Sequence, residues 1–199
     1  MKLRRLCATA AILLGTALPV AAAQLSLNEV SAYLNTLTSA KGQFTQINGD
    51  GTISTGTLYL KRPGKVRFEY NPPEQALVMA NSGQVVIFDK KLRGQPESYP
   101  LSQTPLSIIL ARNVNLGQAG MVTGQNYDGT ATTVVAQDPD RREYGSIELK
   151  FTDNPVELRQ WIIRDGNGSA TTVVLGALDK TEVRNGLFNI QGEIGRQER

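Results

Sequence analysis

The 199-residue sequence has no histidine and a single cysteine, Cys7. Their scarcity excludes zinc sites of the usual Cys/His type, Ser-His-Asp and Cys-His nucleophile systems, and a histidine acid–base catalyst. There is one tryptophan, Trp161, where a sugar-binding cleft normally adds several aromatic stacking surfaces. A glycosidase would also need a paired carboxylate cleft. Asp138, Asp140 and Glu143 do cluster, but beside Arg141 and Arg142 and around a proline, which is the composition of a solvated turn. No G-x-x-x-x-G-K-[ST] is present and no G-x-G-x-x-G opens a helix, so neither ATP nor a dinucleotide is implied.

The excess of positive charge is also missing where it would matter. Lys2, Arg4 and Arg5, an apolar stretch from Ala8 to Leu18 and Ala21-Ala22-Ala23 read as a secretory signal peptide over residues 1–23. Cys7 lies within it, so 24–199 has neither thiol nor disulfide. The remainder carries 18 basic and 18 acidic residues, which removes basicity as an argument for nucleic acid. No later segment approaches the roughly 18 uninterrupted apolar residues of a membrane-spanning helix. Residues 24–199 are long enough for one domain burying roughly 70% of its unfolded surface.

What is present is a short helical start followed by many strands. Ser26-Leu27-Asn28-Glu29 fits a capping box, with Leu25 and Val30 placed as a hydrophobic staple. Leu27, Val30, Leu34 and Leu37 recur at helical spacing, and Lys41-Gly42 is the expected stop. Strands are expected over 52–60, 66–70, 75–79 and 84–89, with Val66, Phe68 and Tyr70 on one face and Arg67 and Glu69 on the other. Pro63-Gly64 suits the turn between the first two. Thr104 to Leu110 predicts a second, apolar helix with Thr104 as cap and Pro105 at its first position. Further strands are expected at 132–136, 146–151, 158–164, 170–175 and near 188–190. Spacing this short leaves no room for crossover helices, so the sheet should be antiparallel.

Two features admit a plain and a sharper reading. Lys61-Arg62-Pro63-Gly64-Lys65-Val66-Arg67 carries four cations in seven residues, as a solvated hairpin tip would. Arg62, however, ends a strand whose Leu58 and Leu60 face a core, which would let its guanidinium bond backbone carbonyls inside. Leu106, Ile109 and Leu110, with the first helix, are either ordinary core or a lid over an apolar cavity.

Several stretches resemble the LolA family of periplasmic outer-membrane lipoprotein carriers. They are Phe44-Thr45-Gln46, Gly56-Thr57-Leu58-Tyr59-Leu60-Lys61-Arg62-Pro63, Val66-Arg67-Phe68-Glu69-Tyr70-x-x-Pro73, and Thr104-Pro105-Leu106 with Leu110-Ala111-Arg112-Asn113. Their order and spacing match over roughly residues 25 to 113. The resemblance implies a mainly β (α+β) fold: a curved, incomplete antiparallel barrel covered by a helical lid over a hydrophobic cavity. It implies a carrier, not an enzyme, that works without a cofactor in the periplasm, as a monomer. Its cargo would be acylated lipoproteins, received from an inner-membrane ATP-driven releasing complex and passed to an outer-membrane acceptor.

On this likeness Arg62 is the lid latch. The likeness also turns Val66 and Phe68 toward the cavity, with Val86 where some members place an aromatic. The expected acyl-chain cavity residues are Leu58, Leu60, Val66, Phe68, Tyr70, Val78 and Phe88, and the expected lid contacts are Leu27, Val30, Leu34, Leu37, Leu106, Ile109 and Leu110. Three departures stand out: Asn81-Ser82-Gly83 replaces an Asp-Gly turn, Val86 is aliphatic, and the C-terminus lacks a Pro-x-Gly stretch. The alternative is a lipid- or peptide-sensing regulatory domain on the same scaffold, which binds and does not transport.

Overall fold

A computed structural model of the chain describes residues 23–89 and 95–197. The expected signal peptide, apart from its last residue, lies outside the described residues. Helix α1 (Leu27–Thr36) begins with the expected capping box: Ser26 Oγ accepts from the Glu29 amide, and the Glu29 carboxylate accepts from the Ser26 amide. There follow β1 (Ser39–Ile47), β2 (Ile53–Lys61), β3 (Lys65–Tyr70), β4 (Ala76–Asn81), β5 (Gln84–Asp89) and β6 (Glu97–Pro100). A 3₁₀ turn at Leu101–Gln103 leads to α2 (Leu106–Leu110). The second half is β7 (Val122–Tyr127), β8 (Ala131–Gln137), β9 (Ser146–Thr152), β10 (Glu157–Arg164), β11 (Ala170–Leu175) and α3 (Ile190–Gln197).

All the strand pairs are antiparallel, in one sheet ordered β6-β5-β4-β3-β2-β1-β11-β10-β9-β8-β7. The sheet does not close, since β6 and β7 remain its two edges. It is sharply curved. Phe68 on β3 and Trp161 on β10 are four strands apart in that order, which in a flat sheet would separate their backbones by about 19 Å. Their ring centroids are 6.2 Å apart. The two halves therefore fold toward each other, and α1 and α2 lie over the concave face, where their apolar residues join one core with both walls.

Several local expectations are corrected. Lys41-Gly42 does not end the first helix; α1 stops at Thr36, with the Leu37 amide bonded back to the Leu34 carbonyl. Both residues belong to β1, which pairs with β2 along its whole length. Gly42 is needed for close approach, since a Cβ there would come within 2.8 Å of the Leu178 side chain. Thr104 does not cap α2 with its side chain, which instead donates to the Leu101 carbonyl. The segment at 188–190 is no strand: a 3₁₀ turn at Asn185–Phe188 runs into α3. Strands β1, β6 and β7 were not expected from the sequence.

The cavity assignment of Phe88 is also overturned. Register carries the concave face from Leu58 and Leu60 to Phe68 and Val66, then to Val78 and Ala80, then to Ile87 and Val85. Phe88 pairs with Leu77, and Val86 with Met79, on the opposite, convex face. There they form a separate apolar cluster covered by Ile190 and Ile194 of α3. Arg67, only 7% exposed, holds that cover in place: it bonds Glu69 at 2.6 Å, Glu193 at 3.0 Å and the Leu187 carbonyl at 2.9 Å.

Candidate functional site

The concave wall of the first half is built by alternation. Leu58 and Leu60 on β2 stand opposite Phe68 and Val66 on β3, and Gly56 stands opposite Tyr70. Gly56 has a specific reason to lack a side chain: a Cβ there would lie 2.7 Å from the Phe44 ring and 2.1 Å from the Glu69 carbonyl oxygen. The Phe44 ring occupies that space and meets Phe68 and Tyr70 edge-to-face, at 5.3 and 5.1 Å. Tyr70 donates from its hydroxyl to Gln46 at 2.6 Å, and burial pushes its pKa up to about 12. Val78 packs, partly buried, against the same core.

The opposite wall comes from the second half of the chain, with Leu149, Phe151, Trp161, Val173 and Leu175 at most 4% exposed. None of them was among the expected cavity residues. The alternation of Ile147, Leu149 and Phe151 along β9 was the signal that could have pointed there.

Over this surface lie the expected lid residues. Val30, Leu34, Leu37, Ile109 and Leu110 are buried against it, and Leu27 and Leu106 pack at its margin. The helices are joined by polar contacts that the sequence did not suggest. Asn35 bonds both ways with the Val114 backbone, at 2.9 Å each, and the Leu116 amide donates to Ser31 at 3.0 Å. Helix α1 and the segment after α2 are thus tied into one body.

Arg62 connects that body to the sheet. Its Nε and Nη2 donate to the Ala111 carbonyl at 2.9 and 2.6 Å, and Nη2 also reaches the Arg112 carbonyl and Asn35 Oδ1. Its Nη1 donates to the Leu34 carbonyl. The Leu34 carbonyl lies in the last turn of α1, where carbonyls carry negative partial charge, and the Ala111 and Arg112 carbonyls follow the end of α2. The cation suits them electrostatically, while partial burial lowers its pKa from the usual arginine value. The neighbouring turn adds two bonds, Arg62 N–H to Thr38 and Gly64 N–H to Leu110, each 2.8 Å. Gly64 makes this turn at a φ of +70°.

Beside α1, a cleft of about 110 Å³ is lined by Tyr33, Leu158, Leu178 and Lys180 among others. Tyr33 closes it inward, its ring edge-on to Phe151 at 5.9 Å and beneath the Lys180 ammonium at 5.1 Å. Burial, above all, raises the Tyr33 pKa. Among the described residues no cluster of His, Cys, Asp and Glu has a metal-holding arrangement, and no helix is long and apolar enough to cross a membrane.

Comparison with known proteins adds an independent line. The family model described as "Outer membrane lipoprotein carrier protein LolA" matches residues 35–191, so most of α1 lies before the matched region. The chain is similar to an outer-membrane lipoprotein carrier protein of Cupriavidus pinatubonensis, 26% identical over 164 residues, covering 77% of this chain and 76% of the relative. One of the same name from Pseudomonas paraeruginosa is 25% identical over 182 residues, covering 87% and 86%. Among solved structures, a LolA superfamily protein from Nitrosomonas europaea is similar with a TM-score of 0.45 and 10% identity, covering 84% of this chain and 99% of that one.

Proposed function

Since the chain belongs to the LolA family of outer membrane lipoprotein carrier proteins, we propose that it carries lipoproteins by burying their acyl chains beneath α1 and α2. In this reading residues 24–199 work in the periplasm as one monomeric, non-catalytic carrier. Cargo comes from an inner-membrane releasing complex driven by ATP and goes to an outer-membrane acceptor. The supporting observation is Arg62, which ties two apolar helices down over an apolar concave face through bonds that, among the described residues, all go to neutral acceptors.

The physics of transfer explains why such a tie is useful. Burial of an acyl chain is worth roughly 0.8 kcal/mol per methylene, about 10 kcal/mol for a typical chain. A host with an open apolar groove would take that whole gain and release its cargo too slowly. A lid held shut by Arg62 lowers the apparent affinity by the free energy of opening. Because desolvation of the guanidinium opposes its bonds to carbonyls, the tie is closed but modest. The roles follow: latch for Arg62, wall for Leu58, Leu60, Val66, Phe68, Tyr70 and Val78, and lid for Leu27, Val30, Leu34, Leu37, Leu106, Ile109 and Leu110.

The test is release of lipoproteins from spheroplasts by the purified protein, followed by transfer to acceptor membranes. The expected result is stoichiometric release into a soluble complex. Arg62→Leu should stay folded, load as well as the parent, and hand over its cargo at least about tenfold more slowly, which corresponds to some 1.4 kcal/mol of lost opening cost. Equal hand-over rates would remove the latch, and failure of the parent to release any lipoprotein would remove the carrier reading.

A further inference from the structure

The chain's one tryptophan sits where the two walls meet. Trp161 is 1% exposed, lies between Leu149 and Val173 across its neighbouring strands, and sets its ring perpendicular to Phe68. Among the described residues, its indole Nε1–H is the buried side-chain polar atom with no hydrogen-bond partner. Buried tryptophans usually find an acceptor, because an N–H stripped of water and given nothing in return is a net loss. A phenylalanine would meet Phe68, Leu149 and Val173 with the same kind of surface and without that loss. The exception falls inside the apolar site and not at some remote packing defect.

The proposed cargo has the opposite deficit. A chain attached through an ester takes a carbonyl oxygen, an acceptor with no donor of its own, into hydrocarbon surroundings. Each group left alone is unfavourable, and the two are relieved together when the N–H meets the C=O. We infer that Trp161 is the polar contact of the acyl site, its indole N–H donating to the ester carbonyl at the head of a bound chain. The inference rests on the carrier reading and deepens it. The hydrocarbon walls hold the tails with little regard to their length, and the N–H fixes the depth at which the linkage comes to rest.

Two probes separate this contact from mere burial: a diacylglyceryl-cysteinyl peptide and its dialkyl ether analogue, with the same tails and no ester carbonyl. Calorimetric titration of the parent should favour the ester peptide by about tenfold. Trp161→Phe should lose that preference and bind the ester peptide no more tightly than the ether analogue, because the ester carbonyl is then buried without a donor. A measurement on the parent covers the case in which that variant does not fold. Since Trp161 is the chain's sole indole, its ultraviolet resonance Raman spectrum reports this one N–H. It should be free in the empty protein, bonded with the ester peptide, and free with the ether analogue. Equal affinities in the parent, or an N–H already bonded without ligand, would overturn the contact and leave the carrier standing. If neither peptide bound the parent, the carrier reading would fail and the contact with it.

Discussion

At the residue scale, the contrast between Arg62 and Arg67 is informative. Both guanidiniums tie a helix to the sheet, Arg67 from β3 and Arg62 from the turn after β2, but Arg67 is paired with the carboxylates of Glu69 and Glu193, whereas among the described residues Arg62 meets carbonyls and an amide oxygen. Charge-assisted bonds to carboxylate are the stronger kind. The chain thus places its firmer pin on the convex side, under α3, and its looser one at the proposed lid. Tyr70 gives a separate handle at this scale. An unfolded tyrosine ionises near pH 10, and the buried one near 12, so the folded state disfavours the phenolate. Its contribution to stability is constant below pH 10 and falls as pH rises from 10 to 12. Denaturant midpoints should therefore drop across that window and drop less steeply in Tyr70→Phe. At pH 8 the variant should be about 1 kcal/mol less stable, through the lost bond to Gln46. Parallel slopes would show that another group governs the alkaline loss.

At the scale of elements, β5 shows what a strand pattern leaves open. Val85, Val86, Ile87 and Phe88 form an unbroken apolar run, and alternation cannot say which of two covered faces each residue joins. Nothing in the sequence announces α3 as a cover for the convex side, so the pattern of β5 by itself does not separate Phe88 from the cavity wall. By contrast, β3 interleaves charge with apolar residues, so Val66, Phe68 and Tyr70 could be assigned to one face directly. The division has a measurable consequence. Phe88→Ala should cost about 3–5 kcal/mol of stability, as a buried aromatic truncation does, while cargo transfer at permissive temperature stays unchanged. Phe68→Ala should lower stability comparably and also change the affinity for an acyl peptide. If both variants altered cargo affinity alike, the two-faced reading of this sheet would be wrong.

At the scale of the whole molecule, the sequence made the antiparallel class and the capped first helix legible, because capping chemistry and strand spacing act locally. It did not reveal that Leu149, Phe151 and Trp161 complete the wall begun by Leu58 and Phe68, because only the curvature of the sheet brings those strands together. Helix α1 ended early for a similar reason: nine paired positions between β1 and β2 outweigh the helical continuation that Lys41-Gly42 had suggested. In the proposed carrier cycle α1 and α2 lift from the concave face to admit acyl chains. Pulsed electron resonance between spin labels at Ala32→Cys on α1 and Thr55→Cys on β2, both exposed positions, tests it directly, and residues 24–199 contain no competing cysteine. Loading with a diacylglyceryl-cysteinyl peptide should move the distance distribution outward, and Arg62→Leu should broaden it outward even when empty. An unchanged distribution with the peptide bound at one per carrier would contradict the account.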